Sequence, residues 1–166
     1  MTPTEQYIKV LMNLKTGELG LLRMHAMQGL DESVEGFDLF AGLWWPLRQR
    51  NERAPRREVA WLIAKLYAFS SLTHSPDEMF ASQLGRCRPV RGDEKERFAK
   101  RFDRMLNLPL SKIEPNLQWA LDLLDSNNLK VDWVRLTDDL SIWERESTRL
   151  EWANEFLRTF EGGKPC

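Results

Sequence analysis

The chain is poor in the residues that most often do chemistry. It has two cysteines, Cys87 and Cys166, and they lie far apart among 166 residues. Such a pair forms no disulfide framework, so the fold must rest on its core, and a reducing compartment, the cytoplasm, is expected. Only two histidines occur, His25 and His74, and neither has a metal-ligand spacing. No apolar run approaches the ~20 residues that cross a bilayer. The N-terminus, MTPTEQYIKV, lacks the basic and then apolar pattern of a secretory signal. No glycine-rich phosphate loop precedes a Lys-Ser/Thr pair, and no GxGxxG occurs. Asp138-Asp139 and Glu144/Glu146 are the notable carboxylates. A two-metal nuclease needs several carboxylates in one cleft, and a pair on an amphipathic helix is expected to face solvent. Cys87 lies between Arg86 and Arg88 but has no evident base, so it reads as an ordinary thiol. No catalytic residue, metal site or cofactor is expected.

Alternating strand patterns are also missing, which leaves an all-α class of about eight or nine helices in two small packed bundles. The expected bundles are 1–90 and 91–166, with the turn Cys87–Gly92 between them. Thr2-Pro3-Thr4-Glu5 has the form of a capping box with proline in the first turn, and Tyr7, Ile8, Leu11, Met12 and Leu14 follow as an inward face. Leu19–Met27 reads as a short helix. Ser33 caps the next, which carries Phe37, Phe40, Leu43 and Trp44 and is expected to stop at Pro46. Leu47–Arg57 then reads as an arginine-rich connection. Pro55 opens the strongest helix, with Val59, Leu62, Ile63, Leu66 and Phe69 inward. Asp77 is expected to start a fifth. Pro115 suits the first turn of a helix with Leu117, Ala120, Leu121 and Leu124 on its face. Asp132 caps one with Trp133, Leu136, Leu140 and Trp143. The last runs from Glu146 to Phe160 with Leu150, Ala153, Phe156 and Leu157 inward, and Gly162–Cys166 reads as a frayed tail. Most of the seven tryptophans fall at core spacing. Trp44-Trp45 can offer a stacking ring, though packing is the expected role.

What is abundant is positive charge in the middle of the chain. Arg48–Arg104 holds 14 Lys and Arg against 8 Asp and Glu, while the whole chain has a net charge of −1. The helix of Asp93–Leu106 has two faces. Phe98, Phe102 and Met105 share an apolar stripe, and Arg97, Lys100, Arg101 and Arg104 share a cationic one about 100° wide. At 1.5 Å per residue the cations span roughly 10 Å, enough for about two phosphates of a single strand. Arginines also cluster at Arg48–Arg57 (including Arg53, Arg56 and Arg57) and at Arg86–Arg97 (including Arg86 and Arg88). Guanidinium forks suit phosphate, and no base-reading set accompanies them, so backbone binding with little sequence preference is expected.

These residues carry a resemblance. Leu84-Gly85-Arg86, then Lys100-Arg101-Phe102, an amphipathic helix at Leu117–Leu124, and the pattern Val131, Asp132, Trp133, Leu136, Asp139, Leu140, Trp143 together resemble the CasB family. That family is the small subunit of the type I-E CRISPR Cascade surveillance complex. The resemblance implies a non-catalytic protein of two helical bundles. It implies two copies head to tail in the complex, contacts with the backbone and large subunits, and a basic surface along crRNA and target DNA that helps hold the R-loop. The basic positions matching the family pattern are Arg23, Arg56, Arg86 and Arg101. The chain departs from the pattern at Gln118-Trp119 and after Trp143, where Glu144-Arg145-Glu146 stands. Two other readings fit the charge: a helical adaptor whose arginines bind an acidic protein, and a free-standing DNA-binding regulator.

Overall fold

The computed structural model describes residues 1–70 and 72–162. Among these residues there are nine α-helices, two short 3₁₀ turns and no strand, so the all-α expectation holds. The expected tail lies outside the described residues from Gly163 on. The chain forms two compact units, Met1–Ser71 and Leu72–Cys166. This division falls earlier than the expected 90/91. The Trp133 indole N–H donates to the carbonyl of Leu72 at 3.1 Å, and the helix at Phe80–Arg86 packs on the last helix, so both segments belong with the second unit.

The first unit contains α1 (Pro3–Met12), α2 (Thr16–Met24), α3 (Val34–Arg50) and α4 (Arg57–Phe69). The Thr2 capping box forms as its sequence dictates: Glu5 N–H donates to the Thr2 hydroxyl at 3.1 Å and Thr2 N–H to the Glu5 carboxylate at 2.8 Å. α4 is buried nearly all round, and α2 and α3 pack on it. Tyr7 is fully buried, and its hydroxyl donates to the Ala60 carbonyl at 2.6 Å. Burial holds that phenol well above its usual pKa. His25 is buried, with Nδ1 paired to the Gln28 side-chain oxygen at 2.9 Å. It is a structural residue, as expected.

Pro46 does not stop α3. The helix continues to Arg50, so part of the expected connection is helical. Proline removes the N–H that would bond the Gly42 carbonyl. Gly42 and Pro46 are both exposed, so water can serve that carbonyl. On both sides of the proline the helix is fastened to the following loop: before it the Trp44 indole N–H donates to the Pro55 carbonyl at 2.7 Å, and after it Arg48 Nη1 donates to that of Ala54 at 2.6 Å. Met12 and Phe69, both expected inward, are 52% and 40% exposed, and Phe37 on α3 is 48% exposed.

The second unit contains α5 (Phe80–Arg86), α6 (Gly92–Leu106), α7 (Glu114–Ser126), α8 (Trp133–Ser141) and α9 (Glu146–Gly162). α5 starts later than Asp77, which has a left-handed φ of 67°. The Asp77 N–H donates to Asp132 Oδ2 at 3.0 Å, while Asp132 Oδ1 caps α8 by accepting from Arg135 N–H at 3.0 Å. His74 Nδ1 accepts from the Trp133 backbone N–H at 3.1 Å, which is again structural. On α9 the buried face is Thr148, Trp152, Glu155 and Phe156, whereas Leu150 and Leu157 are 56% and 42% exposed. Trp152 meets Trp143 edge-on at 4.8 Å and Phe80 at 5.0 Å, and these rings select the face.

Candidate nucleic-acid interface

α6 carries the candidate site, and its two faces separate as the spacing requires. Phe98, Phe102 and Met105 are buried. The Phe102 ring lies parallel to that of Phe156 on α9, with centroids 3.9 Å apart and planes within 6°. Arg97, Lys100, Arg101 and Arg104 are all exposed.

Charge along this face is uneven. Arg97 pairs with Asp93 at 3.1 Å, and Lys100 with Glu96 at 3.2 Å, both one helical turn back. An acid four residues before a base is the favourable order for such pairs. That spacing was legible in the sequence and shows the stripe to be partly self-neutralised: α6 holds five Lys and Arg against four Asp and Glu. Arg101 differs. Its guanidinium lies over the Trp119 ring of α7, 4.2 Å from the centroid. The ring contact restrains the guanidinium, while the residue as a whole stays exposed. Arg104 makes no ion pair among the described residues. Sequence reasoning noted Trp119 only as a departure from a pattern and gave it no role beside Arg101, because nothing in the spacing of α6 shows which residue of α7 it meets.

The other candidate cations fall into three situations. Arg23 is exposed, but its Nε donates to the Ala68 carbonyl at 2.7 Å. Arg86 and Arg88 are half-buried and turned to their own unit: Arg86 Nη1 donates to the Gln83 side chain at 2.9 Å, and Arg88 Nη1 to the Thr159 carbonyl at 2.8 Å. In the first unit Arg53 is exposed, Arg56 is half-buried, and Arg57 lies 3.7 Å from Glu58. Of the four cations on the α6 stripe, Arg101 and Arg104 are therefore the two that make no ion pair among the described residues.

Asp139 is not solvent-facing. It is buried, with Oδ2 accepting from the Trp152 indole at 2.8 Å and Oδ1 from Arg135 Nε at 3.0 Å. Arg135 also reaches Glu151 at 2.6 Å and Glu155 at 3.6 Å. Burial raises the pKa of both Asp139 and Glu155 above the usual carboxylate range, against the lowering effect of Arg135. A carboxyl whose folded pKa is raised gives stability that is full below its unfolded pKa and lost as pH rises through the folded one. Melting of the natural chain and D139N should diverge accordingly. The natural chain should gain on the variant as pH is lowered from neutral toward the unfolded aspartate value of about 3.9, and a pH-independent gap would refute this assignment.

No group of three or more His, Cys, Asp or Glu among the described residues is placed to hold a metal ion. No helix among them is long and apolar enough to cross a membrane. The fold and site define an all-helical protein with a cationic helix as its candidate binding element. The chain belongs to the CRISPR-associated protein Cse2 family, whose model matches residues 18–157. Similar solved structures include CasB of M. ruber, with TM-score 0.74 and 20% identity over 95% of this chain and 94% of that one. CasB from Thermus thermophilus gives 0.71 and 22% over 94% and 98%. CasB from Thermobifida fusca gives 0.68 and 15% over 96% of each. At these identities the likeness is one of fold. No curated protein sequence matches the chain.

Proposed function

We propose that the chain is a non-catalytic small subunit of a CRISPR Cascade surveillance complex, acting in the cytoplasm in antiviral defence. It holds nucleic-acid backbone through its cationic surface and so stabilises the R-loop. Its partners in this reading are the backbone and large subunits, a second copy of itself, crRNA and target DNA. R-loop formation is a near-balanced exchange of duplexes, so a few phosphate contacts suffice to tip it. The observation that carries the proposal is the pair Arg101 and Arg104 on α6: both exposed, neither in an ion pair among the described residues, and Arg101 seated over the Trp119 ring. Arg97 and Lys100 flank them and must exchange Asp93 and Glu96 for phosphate. In the second unit Arg86 and Arg88 join the proposed contacts with the least reach, and in the first unit Arg23, Arg53, Arg56 and Arg57 are proposed contacts of their own.

The test is binding of fluorescent oligothymidylate across a salt series, with the R101E/R104E double variant beside the natural chain. The variant should bind more weakly, and its log–log salt slope should be shallower by about 1.4, at ~0.7 per single-strand phosphate. Its melting should be almost unchanged, since exposed charges contribute little to stability. Equal affinity and slope in both proteins would remove α6 from the interface.

A further inference from the structure

The first unit holds an aromatic pocket whose rings the nucleic-acid reading does not use, although Arg56 and Arg57 at its border belong to both. It has a volume of about 530 Å³ and lies between α3 and the first turn of α4. Phe37, Phe40, Trp44 and Trp45 form its walls, and Arg48, Arg56 and Arg57 border it with a single acid, Glu58. Phe40 is buried and stacks on Trp44, with centroids 5.3 Å apart and planes within 13°. The Trp44 N–H is already used on the Pro55 carbonyl, so this ring presents carbon to the pocket. Phe37 and Trp45, in contrast, are 48% and 50% exposed. Two large rings left half in water beside an open pocket mark a binding surface rather than core.

We infer that this pocket docks a short acidic segment of a partner protein, with an aliphatic or aromatic side chain inserted among the rings and flanking carboxylates facing the arginines. Size and charge select this occupant. The volume lies in the range of roughly 300–1,000 Å³ typical of pockets that enclose a small organic group. A nucleobase would bring polar edges against ring carbon, where they lose water without a replacement partner. An apolar side chain has no such loss. The border has three arginines against one glutamate, and Arg57 and Glu58 are both more than half exposed at 3.7 Å, so their pairing is weak and an incoming carboxylate can displace it. The first turn of α4, which no side chain caps, adds a partial positive charge to the same border.

The experiment uses the full chain and the end-blocked synthetic peptide Asp-Glu-Leu-Phe-Asp-Glu, read at the indole ¹H–¹⁵N resonance of Trp45, which W45F assigns. Saturable movement of that resonance is expected. Affinity should fall at least tenfold in R57E and in F37A, both substitutions at exposed positions, with melting curves confirming that the variants fold. Peptides with lysine for the acids, or serine for Leu-Phe, should not saturate. The inference is overturned by any of four results: no saturable movement; equal binding of the lysine peptide; movement with oligothymidylate at lower concentration; or movement with protein concentration alone, which would give the pocket to a second copy. The oligothymidylate test above reads Arg101 and Arg104, so failure of either idea is distinguishable from failure of the other.

Discussion

Replacing Phe102 by alanine should cost ~3–5 kcal/mol, the range for truncating a buried aromatic ring. Phe102 is 3% exposed and stacks on Phe156 at 3.9 Å, and Phe156 in turn meets Phe160 at 5.1 Å and Phe98 at 5.7 Å. This stack is what joins α6 to α9. Its loss leaves a cavity that neighbouring rings cannot close without leaving their own contacts. Urea or thermal unfolding should show the drop in the second unit. R101E, one residue away and exposed, should move the midpoint far less, by no more than the ~0.5–1 kcal/mol of an exposed cation–π contact. If F102A melted like the natural chain while R101E melted early, the two faces of α6 would be reversed and the proposed interface would be wrong.

G85A should destabilise the second unit by about 3 kcal/mol, the upper end for overpacking. The sign makes this informative. Gly85 lies inside α5, where alanine ordinarily stabilises a helix by up to ~1 kcal/mol. Here a Cβ would run into the Thr159 side chain and lie 2.5 Å from the Phe156 carbonyl oxygen and 3.1 Å from the Phe160 amide nitrogen. Two of those three atoms are helix backbone, which cannot swing aside. The contact is also fastened, because the Thr159 hydroxyl donates to the Ser82 carbonyl at 2.7 Å. A stabilised G85A would show that α5 and α9 do not approach so closely. The Leu-Gly-Arg triplet thus has a packing reason at its glycine, and at its leucine, which is fully buried.

Much of the fold was readable because its causes are local. Thr2, Ser33 and Asp132 cap helices as their positions promised, and Pro115 stands in the first turn of α7. The errors came where two local readings were open and distant packing chose between them. On α9 the expected face was Leu150, Ala153, Phe156 and Leu157; Phe156 is buried as expected, but Trp152 turns in with it and leaves Leu150 and Leu157 exposed. Pro46 can end a helix or ride on an exposed face, and tethers from Trp44 and Arg48 to a later loop kept the helix going. Asp138-Asp139 looked solvated until Trp152 and Arg135 supplied partners for Asp139. The candidate interface divides in the same way. Its cationic stripe and even its Asp93–Arg97 and Glu96–Lys100 pairs follow from helical spacing alone, whereas the half-buried state of Arg86 and Arg88 does not.

By itself, the sequence determined the helical class, most caps and both faces of α6, since each depends on residues within one or two turns. The tertiary structure decided which cations are presented and which glycine is indispensable. It placed Trp119 under Arg101, bent Arg88 to the Thr159 carbonyl, brought α9 onto Gly85 and opened the aromatic pocket beside Arg57. Each of those contacts joins residues of separate elements, and only packing, not periodicity, sets where separate elements meet.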